Sequence, residues 1–292
     1  MKKCLFTGVA TALATPFDDK GVNVKEFSRF IEFQINAGVN ALVVCGTTGE
    51  SSTMTKVEKV QAIKCAISTS KKRVPVIVGT GSNNTLATIE MSVLAEELGA
   101  DGLLIVTPYY NKTTQNGLIE HYKAIANSVN IPIILYNVPS RTGMNILPET
   151  CFELSKVDNI VGIKEASGNI SQVAKIAQLC GNDFSIYSGN DDQILPILSL
   201  GGKGVISVLS NIKPELTCKI TNSFFENNIA TSRNEQLNAL PLINALFAET
   251  NPIPIKYAIN CIEYDFGTPR LPLVECSSNL KSTIEKFLNE IL

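Results

Sequence analysis

Eight short aliphatic and β-branched runs, each closing on a turn rich in Gly, Thr, Ser or Pro, limit what this chain can fold into. They are LFTGVAT, ALVVCGT, PVIVGTG, GLLIVTP, PIILYNV, IVGIKEA, FSIYSGN and GVISVLS, beginning near residues 5, 41, 75, 102, 132, 160, 184 and 204. Most are apolar almost throughout rather than alternating, the pattern of parallel strands covered on both faces. Between them the spacing turns helical. Phe27, Phe30, Ile31 and Ile35 share one face of a helix that stops at Gly38, and Leu86, Ile89, Val93 and Leu94 do so ahead of Gly99. Strand–helix units repeating every 20–36 residues imply right-handed crossovers and a parallel sheet. Eight of them fit a (β/α)8 TIM barrel, an α/β fold. A doubly wound open sheet is the rival, but its GxGxxG after the first strand is missing. Beyond LSNIKPEL no strand run is convincing. The barrel is therefore expected over 1–224 and a small C-terminal helical domain, with a Pro-rich joint at NPIPIKYA, over 225–292.

Charge and cysteine placement narrow the class. A net charge of −2 gives no general attraction to nucleic acid or to an anionic membrane, and no run approaches a membrane span. The eight cysteines are scattered without a CxxC pair, which reads as free thiols in a reducing cytoplasm. His121 is the only histidine and reads as a helix residue; with no clustered Cys, a metal site is not expected. MKKCLFTGVATALATPF has a leader-like look, but Thr7, Gly8 and Thr11 interrupt its apolar run, so it reads as a first strand of a cytoplasmic protein.

In such a barrel the strand C-termini carry the active site. There, IVGIKEASGN ends an apolar strand on Lys164. An ammonium in that place is costly unless paired or kept partly neutral for chemistry. Strand alternation puts residues 160, 162 and 164 on one face, with Gly162 leaving room for the lysine. A neutral amine attacks a carbonyl to give a Schiff base; the alternative is a buried ion pair, for which the oppositely pointing Glu165 is a poor partner. Tyr136, ending the adjacent strand, can move protons at the carbonyl oxygen or simply pack. Arg141, in a Pro-Ser-Arg-Thr-Gly turn, suits a carboxylate or is a plain surface arginine. CGTTGE offers two hydroxyls and a run of backbone N–H groups that can cradle a carboxylate or a phosphate, or is simply a turn; with few basic residues at the other strand ends a small carboxylate is favoured.

Taken together, TALATPF, GTTGES, GTGSN, TPYYNK, LYNVPSRTG, GIKEASGN, SGND, GVISV and NPIPIKYA resemble the dihydrodipicolinate synthase family, in the pyruvate-dependent class I aldolase superfamily that includes N-acetylneuraminate lyase. The resemblance runs nearly end to end. It implies condensation of pyruvate with L-aspartate 4-semialdehyde in lysine and diaminopimelate synthesis, with no metal or organic cofactor. It also implies site roles: Lys164 forms the imine, Tyr136 relays protons while hydrogen-bonded to Thr47, and Tyr110 completes the relay from a neighbouring subunit. Thr48 would hold the carboxylate of pyruvate and Arg141 that of the semialdehyde, with Gly189 and Ile206 lining the site through their backbone. A shared relay implies a homodimer at least, commonly a dimer of dimers. Lysine-inhibited members bind lysine near the positions of Ser51, Lys56, Asn83, Ala87 and Tyr109. Here a lysine stands for a histidine at Lys56 and an alanine for a glutamate at Ala87, so feedback by lysine is expected to be weak or absent. Another pyruvate-dependent aldolase, a non-catalytic acid-binding barrel and a pyridoxal-phosphate barrel remain the alternatives.

Overall fold

The computed structural model describes residue 2 and residues 4–291. Eight parallel strands close into a barrel: β1 Gly8–Ala12, β2 Ala41–Val44, β3 Val76–Gly79, β4 Gly102–Val106, β5 Ile133–Asn137, β6 Ile160–Glu165, β7 Ser185–Ser188 and β8 Gly204–Ser207. Seven lie within the apolar runs read from the sequence, and β1 runs one residue past its own, to Ala12. A two-residue hairpin, Phe17–Asp18 with Gly21–Val22, follows β1 and was not foreseen.

Helices return the chain between strands. The crossovers include α1 Val24–Asn36, α2 Lys56–Ser70, α3 Thr85–Glu97, α4 Gln115–Ala126, α5 Pro139–Thr142, α6 Pro148–Leu154, α7 Ile170–Cys180, α8 Ile194–Ser199 and α9 Pro214–Phe225. The chain then continues in α10 Ile229–Phe247, α11 Ile253–Cys261 and α12 Ser278–Ile291. Side chains at the Ncap satisfy first-turn N–H groups: Asn23, Asn84, Thr114, Asn169 and Asn228 each accept one, and Thr55 with Glu58 forms a reciprocal capping box at α2.

Strand residues alternate between two apolar layers. Val9, Leu42, Val78, Leu103, Leu135, Ile163 and Ile186 face the helices, and the C-terminal helices join the same layer through Leu242, Ile255 and Ile284. Ala10, Ala41, Ile77, Leu104, Ile134, Tyr187 and Ile206 fill the barrel interior. Two expectations need correction. In β6, Ile160 lies in the outer layer and Val161 in the inner one, because the β5 pairing slips from Ile133↔Ile160 to Ile134↔Gly162. The bulge resets the phase, so Ile160 and Lys164 do not share a face. Gly162 serves the strand packing instead: a Cβ there would come within 2.4 Å of the Ser185 carbonyl oxygen.

The second correction concerns α3. Its buried side is Thr88, Ser92 and Ala95, while Leu86 is 71% exposed. Small residues let this helix lie close against the barrel, with Thr80 and Ser92 hydroxyls hydrogen-bonded at 2.9 Å, and the larger apolar side chains are displaced to its flanks. Among the described residues no helix is long and apolar enough to cross a membrane, and the eight cysteines are free thiols.

Candidate active site

The register of β5 on β6 sets Tyr136 directly beside Lys164. Both are buried, and the Lys164 Nζ lies 4.4 Å from the centroid of the Tyr136 ring. Glu165 points the other way. Its carboxylate accepts from Asn137 Nδ2, Gln172 Nε2 and the Ser167 amide, outside the barrel, so it is no counter-ion for Lys164. Space for the lysine comes from Gly189 on the neighbouring strand end: a Cβ there would sit 3.1 Å from Lys164 Cε and 2.6 Å from Ala166 Cβ.

Above these groups is a cavity of about 170 Å³, lined among others by Thr47, Thr48, Tyr136, Arg141, Lys164 and Gly189. That volume is small against drug-sized pockets of roughly 300–1,000 Å³ and suits a molecule of few heavy atoms. Six of the eight site residues read from the sequence therefore converge. Ile206 is fully buried in the barrel interior and is not among the lining residues. Tyr110 stands on the surface, 91% exposed with a left-handed φ of 69°, and is not among the residues lining the Lys164 cavity. Among the described residues no hydrogen bond joins Tyr136 to Thr47, although both line the cavity.

The Gly46–Ser51 turn folds on itself through Gly49 N–H to Gly46 O, Glu50 N–H to Thr47 O and Ser51 N–H to Gly46 O. It is also tied to the far end of the chain. Glu50, at φ 56°, accepts from Lys256 Nζ at 2.7 Å and from the Arg270 amide at 2.8 Å, and Asn251 Nδ2 donates to Thr48 Oγ1 at 3.0 Å. Sequence reading missed Asn251 and Lys256. Both lie in NPIPIKYA, whose pattern says nothing of partners some 200 residues upstream. It also missed Asp191, whose Oδ2 accepts from the Val208 and Leu209 amides at 3.0 and 2.9 Å while Oδ1 has no partner among the described residues. Burial pushes the Asp191 carboxyl above its usual range, opposed by hydrogen bonds from Ser207 and these amides and by the charge of Lys164. His121 is a buried α4 residue whose Nδ1 meets Thr85 Oγ1 at 2.9 Å; burial lowers its pKa to about 4, so it is uncharged at neutral pH.

A parallel eight-stranded barrel holding an amine, a phenol, two threonines and an arginine around one small cavity at its strand C-termini has the architecture of a TIM-barrel enzyme. The profile of the dihydrodipicolinate synthetase family matches residues 5–291. The 4-hydroxy-tetrahydrodipicolinate synthase of Clostridium perfringens (strain SM101 / Type A) is 57% identical over 284 residues, 97% of this chain and 98% of that one. The crystal structure of dihydrodipicolinate synthase from Thermotoga maritima superposes with a TM-score of 0.97 at 42% identity, covering 98% of this chain and 99% of that one. The chloride-inhibited enzyme from Acinetobacter baumannii, complexed with pyruvate, gives 0.95 at 36% identity, with the same coverage of each chain. The chain belongs to the dihydrodipicolinate synthetase family, and its enzyme class is that of its relatives, the 4-hydroxy-tetrahydrodipicolinate synthases, which are lyases. The family is one of class I aldolases that use a lysine Schiff base.

Proposed function

We propose that this enzyme condenses pyruvate with L-aspartate 4-semialdehyde to 4-hydroxy-tetrahydrodipicolinate, on the route to lysine and diaminopimelate, through an imine on Lys164. The observation that carries this reading is the Tyr136–Lys164 register at a cavity small enough for a three-carbon acid. The Lys164 amine attacks the pyruvate C2 carbonyl, and loss of water leaves the imine. Tyr136 carries the protons of these steps, with Thr47 beside it and Tyr110 reaching in from a second copy of the chain. Thr48 holds the pyruvate carboxylate and Arg141 that of the aldehyde, while Gly189 and Ile206 shape the floor and wall. Loss of a methyl proton gives the enamine, which attacks the aldehyde carbon. The substrate amine then closes on the imine carbon and expels Lys164. No step calls for a metal or organic cofactor.

The 91% exposure of Tyr110 supports a homodimer at least, with a dimer of dimers as the working assembly. Catalysis is assigned to 1–224, the helical unit 225–292 bracing the mouth, and the free thiols favour a cytoplasmic setting. Incubation with pyruvate, borohydride reduction and peptide mass spectrometry test the reading. A pyruvate-derived mass on the Lys164 peptide is expected; no adduct on any lysine would sink it. Tyr136→Phe should keep the adduct while turnover falls by about 10²-fold or more, the usual worth of a positioned proton carrier.

Feedback by lysine is proposed to be weak or absent. A cleft of about 430 Å³ adjoins the cavity, with Ser51, Ala87 and Tyr109 in its wall beside Lys59 and Arg141, and no carboxylate among its lining residues. The ammonium of a lysine there meets two cations and no counter-charge. Submillimolar lysine is expected to leave the initial rate unchanged; inhibition in that range would overturn the proposal.

A further inference from the structure

The segment joining α10 to α11 reaches back to the barrel mouth, where Asn251 is buried and lines the Lys164 cavity. Its Nδ2 donates to the Thr48 hydroxyl oxygen at 3.0 Å, across 203 residues of sequence. Its main-chain carbonyl accepts from Arg141 Nη2 at 3.1 Å. Its Oδ1 is buried without a hydrogen-bond partner among the described residues. One residue thus touches both groups assigned to substrate carboxylates, and it spends the donor end of its amide on Thr48 while the acceptor end goes unpaired.

A hydroxyl has a single hydrogen to give and two lone pairs that accept. With Asn251 donating to the Thr48 oxygen, the Thr48 hydrogen is left free for an anion in the cavity. A guanidinium carries five N–H donors in a rigid fork. Anchoring Nη2 on the Asn251 carbonyl fixes the direction of the remaining donors. We infer that Asn251 is a positioning residue for both carboxylates: its amide makes Thr48 a hydrogen-bond donor to one, and its carbonyl orients Arg141 toward the other. The inference rests on the proposed reading of this cavity.

Two variants separate polarity from packing. Asn251→Asp is nearly isosteric but only accepts, so Thr48 must turn its hydrogen toward residue 251 and present lone pairs to the ligand. Asn251→Ala only releases Thr48. The pyruvate concentration that half-saturates borohydride trapping should rise a few-fold in Asn251→Ala and by roughly tenfold or more in Asn251→Asp, the scale of one polar interaction made repulsive. In a Thr48→Val background the Asp and Ala variants should converge. Since Arg141 is held by a main-chain carbonyl, KM for the aldehyde should stay near wild type in Asn251→Ala. Ala worse than Asp, or an Asp penalty that survives Thr48→Val, overturns the inference, the first pointing to packing and the second to bare charge. If Asn251→Asp does not fold, the pair Asn251→Ala and Thr48→Val decides: their losses should not add, and additive losses overturn it. A wild-type chain that traps no pyruvate removes the cavity reading itself, an outcome distinct from a wrong order among variants that trap.

Discussion

Lys164→Ala is expected to abolish borohydride-trapped pyruvate and to lower kcat/KM by at least about 10³-fold, since the nucleophile is lost rather than misplaced. Its stability should change little. Lys164 is 6% exposed, and its Nζ rests against the Tyr136 ring. Removing the side chain ends its own burial cost but takes from the buried Asp191 a charge that favours its ionised form, so the two effects oppose each other and the variant should melt near wild type. Lys164→Arg sharpens the point. Arginine keeps the charge and much of the reach, but its guanidinium stays protonated and is no nucleophile. If the cavity needs only a cation to bind an acid, Lys164→Arg restores activity; if Lys164 forms the imine, it is as inactive as Lys164→Ala. Retained trapping in either variant would place the nucleophile on another lysine.

The fold was legible because its signal is local. Parallel strands buried on both faces announce themselves as continuous aliphatic runs, and the alternation with helical spacing fixes the topology. The site was legible for a related reason. In this topology every strand delivers its C-terminal residues to one end, so Thr47, Tyr136 and Lys164 line one cavity without any knowledge of side-chain contacts, whereas Gly189 was named only through the family resemblance. What failed were features set by neighbours in space. The β6 bulge depends on register with β5, so strict alternation gave Gly162 the wrong job. The buried face of α3 is chosen by how closely a helix can approach the barrel, which favours Thr88, Ser92 and Ala95 over the larger apolar residues beside them. Asn251 and Lys256 act across more than 200 residues of chain, and their sequence context offers no periodicity that could reveal it.

Lys256 carries the second large effect. Its ammonium is fully buried and pairs with a Glu50 carboxylate that is 2% exposed, at 2.7 Å. Burial lowers the Lys256 pKa, countered by the attraction of Glu50. Lys256→Met keeps the apolar volume but takes from Glu50 its ion-pair partner, leaving it the Arg270 amide, while the Arg270 guanidinium bonds Glu58 at 2.6 Å. Losing one partner of a buried pair costs about 3–5 kcal/mol, because the other charge stays desolvated. In a chain of this size that lowers the melting temperature on the order of 10 °C. Glu50→Gln should cost a similar amount by stranding Lys256. The double variant Glu50→Gln with Lys256→Met should recover most of the loss, since neither buried charge remains. Pyruvate affinity provides the second readout. Glu50 lies in the turn that carries Thr47 and Thr48, so each single variant should also raise the concentration of pyruvate needed to half-saturate trapping. Recovery of stability without recovery of that affinity would mean the ion pair shapes the turn as well as holding it. A double variant as unstable as either single would instead show that the left-handed turn at Glu50 needs the charge itself.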